Sequence, residues 1–151
     1  MMGRHELREQ VFRLLFRAEF NSASEMEEQK ALFAEDLPVE DTGLDASDKH
    51  GVSDKNIAYI VDRCGRVQEK LPELDKLIDD HTEGWDTSRM GKVELTVLRL
   101  GIYEILYDKD IPEAVAINEA VDIAKKYGQE TSGGFVNAIL AKIVKPGGND
   151  S

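Results

Sequence analysis

Apolar residues recur along the chain with the period of an α-helix, and no segment shows the alternation of a half-buried strand. One apolar stripe of the first helix consists of Leu7, Val11, Leu14, Leu15 and Ala18. Similar stripes predict further helices over about 25–35, 57–67, 71–78, 90–108, 112–127 and from 131 or 132 to 144. The pattern predicts an all-α fold of about seven helices, forming one bundle-like domain over 1–151.

The segment 90–108 is the most apolar and is predicted to be packed on two sides, as the central helix of the bundle. Glu104 falls on one of its apolar arcs, so a carboxylate enters a buried or interfacial region. A hydrogen-bonded structural acid and a functional site are both open interpretations. Cys64 lies on another apolar stripe, where core packing is favoured over a reactive thiol.

Two segments break the helical pattern. The region of about 36–55 is acidic and poor in apolar residues, and Pro38, Gly43 and Gly51 interrupt it, so we expect one long exposed connection there. The end of the chain, 145–151, is expected to fray.

The chain has 151 residues, enough to bury a core, and a net charge of −11, which argues against tight, unaided, non-specific binding to nucleic acid. The charge is uneven, because residues 1–20 contain four Arg and three Glu whereas residues 25–54 contain ten acids and two Lys. There is no 18-residue apolar run and no apolar leader at the start, so neither a membrane span nor a secretory signal is expected. A single cysteine excludes an internal disulfide and fits a cytoplasmic location.

Motifs of catalysis and metal binding are absent from the sequence. His5, His50 and His81 are far apart, and neither an HExxH nor a CxxC pattern occurs, so no metal site is predicted. The stretch GWDTSRMGKV lacks the spacing and the Ser or Thr of a phosphate loop. We therefore predict neither an enzyme nor a cofactor-binding protein.

The N-terminal turn is the clearest place for an anionic partner. Arg4, His5 and Arg8 stand at the free end of the first helix and are candidates for contacts with RNA phosphates. A solvated helix with a Glu9–Arg13 pair is the alternative. Arg89 is open to three interpretations, as a cap, an ion-pair partner or a phosphate contact, and Trp85 before it is expected to anchor the core or one end of the bundle.

The stretch ETSGGFVNAIL, residues 130–140, opens the last predicted helix. Thr131 or Ser132 can cap this helix, and its exposed N–H groups suit an RNA phosphate. Phe135 lies at the edge of the apolar arc, where it can pack on one side and offer its ring to a base on the other. In the preceding helix, Asn118 and Asp122 line an exposed stripe, which is either a solvated face or a surface for a protein partner.

Longer motifs support a family assignment. RMGKVELTVLRLGIYEIL, DIPEAVAINEAVDIAKKYG and FVNAIL occur in this order, after an N-terminal RxxxRExxxxLLF pattern. Together they resemble the NusB family of bacterial transcription antitermination factors across essentially the whole chain.

The resemblance implies two packed three-helix subdomains plus a further helix, with no enzymatic activity. It implies binding of the boxA element in ribosomal RNA leader transcripts together with a small-subunit ribosomal protein, NusE, within an RNA polymerase antitermination complex. Some members form homodimers that hide the RNA surface. By position, the RNA-binding residues of the family correspond to Arg4, Arg8 and Phe135, with Thr131 and Ser132 adjacent. Phe16 and Glu94 are the corresponding candidates for the ribosomal-protein face.

The sequence departs from the family pattern around the FVN motif. The family usually has a basic residue before the motif and glycine after it, whereas this chain has Gly134 and Ala138. Fewer positive charges are then available for RNA, so we expect the chain to bind boxA weakly alone and tightly with its basic protein partner.

Overall fold

The computed structural model describes residues 3–36, 54–82 and 87–144. Its helices are α1 (Arg4–Phe16), followed by a 3-10 turn (Arg17–Glu19), α2 (Ala23–Asp36), α3 (Asp54–Glu69), α4 (Leu71–Asp80), α5 (Lys92–Tyr107), α6 (Glu113–Tyr127) and α7 (Ser132–Val144). No strand occurs within these ranges, and the all-α prediction with seven helices is confirmed. Helix α2 is longer than predicted by two residues at its start and one at its end. The acidic connection over 37–53, Trp85 and the segment 145–151 lie outside the described residues.

The chain divides into two compact units, residues 1–66 and 67–151, with the boundary inside α3. In the first unit, α1 contacts α2 and buries Val11, Phe12, Leu14 and Leu15. The Arg17 guanidinium lies 5.1 Å from the centroid of the Phe33 ring and donates a hydrogen bond of 3.1 Å to Gln29 Oε1. This contact fastens the end of α1 to α2, since a cation over an aromatic ring and an amide acceptor hold the same guanidinium.

The second unit is organised around α5, which contacts α4, α6 and α7. Every residue from Leu95 to Ile105 except Arg99 is buried, as the prediction of a helix packed on two sides requires. Helices α6 and α7 both pack against α5 at Gly101, where a Cβ atom would lie 3.2 Å from Leu140 Cδ1 and 3.4 Å from Ala120 Cβ. A larger residue would separate α6 and α7 from α5 at this point.

Two polar groups of α5 show how this helix tolerates charge. Arg99 forms a bidentate ion pair with Asp75 of α4, with N–O distances of 2.8 and 2.9 Å. Glu104 is 3% exposed, so the prediction that its carboxylate enters a buried region is confirmed. The planar, two-bond pair of Arg99 with Asp75 holds its geometry better than a single contact between flexible side chains.

Cys64 is fully buried in the described structure, which confirms its assignment to the core. Burial raises the pKa of the Cys64 thiol to about 12, with a smaller opposing effect from Lys30. The thiolate, which is the nucleophilic form, is therefore scarce at neutral pH. Across the described ranges, no helix combines the length and apolarity needed to cross a bilayer.

Candidate nucleic-acid interface

The first turn of α5 and the first turn of α7 enclose a cleft in the second unit, with a volume of about 350 Å³. We call it the α5–α7 cleft. Its lining residues are Met90, Gly91, Glu94, Gln129, Thr131, Ser132 and Phe135. The volume falls at the lower end of the range of roughly 300–1,000 Å³ that is usual for small-molecule sites. The cleft is therefore large enough for a small group and too small for a folded partner to enter.

The α7 wall of the cleft is built by a tight connection from α6. Helix α6 ends at Tyr127, and the N–H of the next residue, Gly128, bonds to Ala124 O at 2.8 Å. The Ser132 N–H bonds to Gln129 O at 3.0 Å. Gly128 is the C-cap of α6, with φ of −103°. Its requirement for glycine is steric, because a Cβ atom there would lie 2.5 Å from Ser132 Oγ and 2.7 Å from Ala124 O. The missing side chain thus lets α7 begin directly against the end of α6.

Ser132 is the best-anchored side chain of the cleft, with only 2% of its surface exposed. Its hydroxyl accepts a hydrogen bond from the Gln129 N–H at 2.8 Å and donates one to Glu94 Oε2. The single hydroxyl proton is used in this bond, so Ser132 has no further donor for RNA. Ser132 therefore supports the wall from inside rather than presenting a group to solvent.

The α5 wall begins at Gly91, the N-cap of α5, and includes Met90 just before it. The Glu94 side chain folds back over the N-cap, since a Cβ atom on Gly91 would collide with Glu94 Oε1. A glutamate three residues after the N-cap commonly reaches back in this way. Helix N-termini also favour a negative group, so the Glu94 carboxylate is well placed electrostatically.

The outer rim of the cleft contains the groups that solvent can reach. Thr131 is exposed and Phe135 is half-buried. The stem of Lys125 runs over Gly133, where a Cβ atom would lie 2.9 Å from Lys125 Cγ, whereas a Cβ atom on Gly134 would have no neighbour within 4 Å. The departure from the family pattern at Gly134 consequently leaves open space beside Phe135.

The structure brings four of the predicted site residues together, because Glu94, Thr131, Ser132 and Phe135 all line the α5–α7 cleft. Exposed Arg89 directly precedes the lining residue Met90. Glu94 was predicted for the protein-partner face, yet it is hydrogen-bonded to a residue predicted for RNA.

The other candidates lie elsewhere. Asn118 and Asp122 are exposed on α6 and do not line the cleft, as the prediction of an exposed stripe states. In the first unit, Arg4 and His5 are exposed in the first turn of α1, whereas Arg8 is 8% exposed.

Phe16, the remaining candidate for the protein partner, sits within an aromatic row on the first unit. Its ring centroid lies 5.9 Å from that of Phe12 and 5.4 Å from that of Phe20. Phe12 and Phe16 are four residues apart on one face of α1, and Phe20, which is 62% exposed, extends the row to the surface. The row offers an apolar surface of the kind that protein partners cover.

Three lining residues were missed by the sequence reasoning, namely Met90, Gly91 and Gln129. The Gly91 to Glu94 spacing carries a usable signal, since it matches the pattern of an N-cap with a glutamate at the third helical position. Gln129 carries no local signal. It lines the cleft because the connection from α6 to α7 is short and turns beside α5.

Known proteins support the family assignment on sequence and on fold. The model of the NusB family matches residues 5–145. The transcription antitermination protein NusB of Agathobacter rectalis is 45% identical over 142 residues, which cover 94% of this chain and 99% of that protein.

Two solved structures share the fold. NusB of T. maritima is 36% identical with a TM-score of 0.74, covering 95% of this chain and 92% of that one. A chain from the crystal structure of antitermination factors NusB and NusE in complex with dsRNA is 25% identical with a TM-score of 0.67, covering 93% and 94%. The resemblance stated from the motifs is thereby confirmed, and the chain belongs to the NusB family.

Proposed function

We propose that the chain is a transcription antitermination factor that binds the boxA element of ribosomal RNA leader transcripts together with the small-subunit ribosomal protein NusE. It acts in the cytoplasm, as part of an RNA polymerase antitermination complex. The observation that carries the proposal is a match to the NusB family over nearly the whole chain, including a relative solved with NusE and double-stranded RNA. Catalysis, cofactors and metals have no part in this function.

The α5–α7 cleft supports this role because it offers RNA a ring and a polar rim. Phe135 provides the face or edge of an aromatic ring for an unpaired base, and Thr131 provides an exposed hydroxyl beside it. Arg89 is exposed next to the cleft and Arg4 and His5 are exposed at the start of α1, where they serve as phosphate contacts. Ser132 and Arg8 are buried, and Ser132 contributes through its hydrogen bonds to Gln129 and Glu94.

Partner proteins are assigned to other surfaces. The aromatic row around Phe16 and the exposed stripe of α6 with Asn118 and Asp122 are the candidates for NusE or a second copy of the chain. The net charge of −11 gives the partner an electrostatic role as well. A basic protein bound to this acidic one supplies the positive charge that RNA requires.

The proposal is tested by titrating labelled boxA RNA with the chain, with and without the basic ribosomal protein, at one fixed salt concentration. A scrambled RNA of equal length serves as the control. We expect weak binding by the chain alone and much tighter, boxA-selective binding with the protein partner. Equal affinity for boxA and scrambled RNA in both arms would contradict the RNA function, and size-exclusion chromatography would then test the alternative of a protein adaptor or homodimer without RNA contact.

A further inference from the structure

The Glu94 carboxylate is engaged at the N-termini of two helices. One oxygen, Oε1, lies over the N-cap Gly91 of its own helix α5. The other, Oε2, accepts the hydrogen bond from the Ser132 hydroxyl at the start of α7. The two residues are separated by 38 positions in the sequence. We call this contact the Glu94–Ser132 bridge.

Capping of α5 alone does not require the bridge. The same back-reaching glutamate occurs at α1, where the Gly3 N–H bonds to Glu6 Oε1 at 2.8 Å, and at α2, where the Ser22 N–H bonds to Glu25 Oε1 at 2.7 Å. Both of those caps are exposed, and the contacts lie within one helix end. Only at α5, among these three helices, is the second carboxylate oxygen bonded to a residue of another helix.

The bridge also spans the cleft. Met90, Gly91 and Glu94 form the α5 wall, whereas Gln129, Thr131, Ser132 and Phe135 form the α7 wall. Because Ser132 is buried and bonded to both Gln129 and Glu94, it fixes the first turn of α7 relative to the first turn of α5. Phe135 lies three residues after Ser132 at the end of the same turn, so the position of this turn sets the position of the ring.

We propose that Glu94 is a positioning residue that, through Ser132, fixes the width of the α5–α7 cleft and so the presentation of Phe135 to RNA. This inference rests on the proposed function, since it concerns how the same site recognises RNA. The carboxylate also places a negative charge at the N-terminus of α7. The cleft thereby disfavours a phosphate and favours the uncharged face of a base beside the ring.

The test is a double-mutant cycle of Glu94→Gln and Ser132→Ala, with boxA affinity measured in the presence of the basic ribosomal protein. Each single variant is expected to weaken boxA binding about fivefold, the factor that corresponds to one ordinary hydrogen bond. The double variant should be no weaker than the weaker single variant, because Glu94→Gln removes the charged acceptor and Ser132→Ala the donor of the same bridge. Glu25→Gln, which alters an equivalent cap on α2, is the matched control and should leave affinity unchanged.

Further measurements separate positioning from other roles. Thermal unfolding of every variant ensures that affinities are compared on folded protein. Binding of the ribosomal protein is also measured without RNA, because direct contact of Glu94 with that partner would weaken this step in Glu94→Gln and not in Ser132→Ala.

Three results would overturn the inference. The first is tighter RNA binding by Glu94→Gln, which would mean that the carboxylate merely repels RNA. The second is additive losses of affinity in the double-mutant cycle. The third is that the variants bind RNA with the affinity of the unaltered chain. Failure of the unaltered chain itself to prefer boxA would instead contradict the proposed function.

Discussion

The first turn of α1 and the first turn of α7 are both candidate RNA contacts, and they offer RNA different chemistry. The α1 turn presents two exposed side chains, the guanidinium of Arg4 and the imidazole of His5. The α7 turn presents a half-buried ring, Phe135, in a cleft that already contains the carboxylate of Glu94. Contacts to phosphates depend strongly on salt, whereas stacking of a base on a ring depends on it weakly. The two regions can therefore be told apart by how salt changes the effect of each mutation.

The same comparison extends to how the two helix ends are capped. Gly3 with Glu6 and Gly91 with Glu94 share one sequence pattern, glycine followed three residues later by glutamate. A Cβ atom on Gly3 would make an ordinary contact of 3.7 Å with Glu6, whereas one on Gly91 would collide with Glu94. The same local pattern thus forms an exposed cap at α1 and one wall of a cleft at α5. The difference arises because the Glu94 carboxylate also bonds to another helix, whereas the Glu6 carboxylate bonds within its own helix end.

The largest effect is expected for Phe135→Ala. Loss of a stacked base should cost about 1–3 kcal/mol of RNA binding, which is about 5- to 150-fold in Kd. Because the ring is half-buried, the loss of stability should be smaller than the roughly 3–5 kcal/mol of a fully buried aromatic residue. Affinity is measured well below the unfolding temperature at several salt concentrations, and the salt slope should not change.

Phe20→Ala is the matched control, since Phe20 is an exposed phenylalanine of the first unit. It should leave the affinity of the chain alone for RNA unchanged. A large loss of thermal stability in Phe135→Ala, with full RNA affinity per folded molecule, would show that this ring serves the core and that the α7 turn does not contact RNA.

Two glycines of the α6–α7 region provide the next prediction. Gly128→Ala should destabilise the protein by about 1–3 kcal/mol, the usual cost of overpacking, because its Cβ atom would lie 2.5 Å from Ser132 Oγ. Gly134→Ala should stabilise it by about 0.5–1 kcal/mol, because alanine is the better helix former and nothing lies within 4 Å of its Cβ atom. Chemical denaturation measures both changes. Equal effects at the two positions would contradict the close approach of Ser132 to the end of α6.

The helices could be predicted from the sequence because each apolar stripe is a local, periodic signal. Gly128 shows where this local signal ends. A glycine directly after an apolar stripe is typical of a helix end, whereas its close approach to Ser132 emerges only from the fold. Arg8 shows a different limit. It lies three and four residues before Val11 and Phe12, so helical geometry places it on their buried face, although its charge suggested an exposed phosphate contact. The burial of Arg8 therefore follows from its position on the helix rather than from its charge, because a long cationic side chain can bury its apolar stem.

The candidate site could be predicted only in part. Thr131, Ser132 and Phe135 follow from a helix start with an aromatic residue at its edge, and they do meet in one cleft. The contact between Glu94 and Ser132 joins positions 38 residues apart, so no local pattern contains it. Gln129 enters the cleft for the same reason, because its place depends on the packing of α5 beside the α6–α7 connection.

The smallest effect on RNA binding is expected for mutation of the α1 turn, and it is best measured as a change in the salt dependence of RNA affinity. Arg4→Ala should reduce the slope of log affinity against log salt by about 0.7, the value for one phosphate contact on single-stranded nucleic acid. Arg13→Ala is the matched control, because Arg13 is also an exposed cation and lies in the last turn of the same helix. Binding of boxA is measured at four or more salt concentrations for both variants. A slope that Arg4→Ala leaves unchanged would mean that Arg4 contacts no phosphate, whereas an equal decrease with Arg13→Ala would mean that the α1 turn acts only through net charge. In either case the α5–α7 cleft would be the one specific RNA contact of the two regions compared.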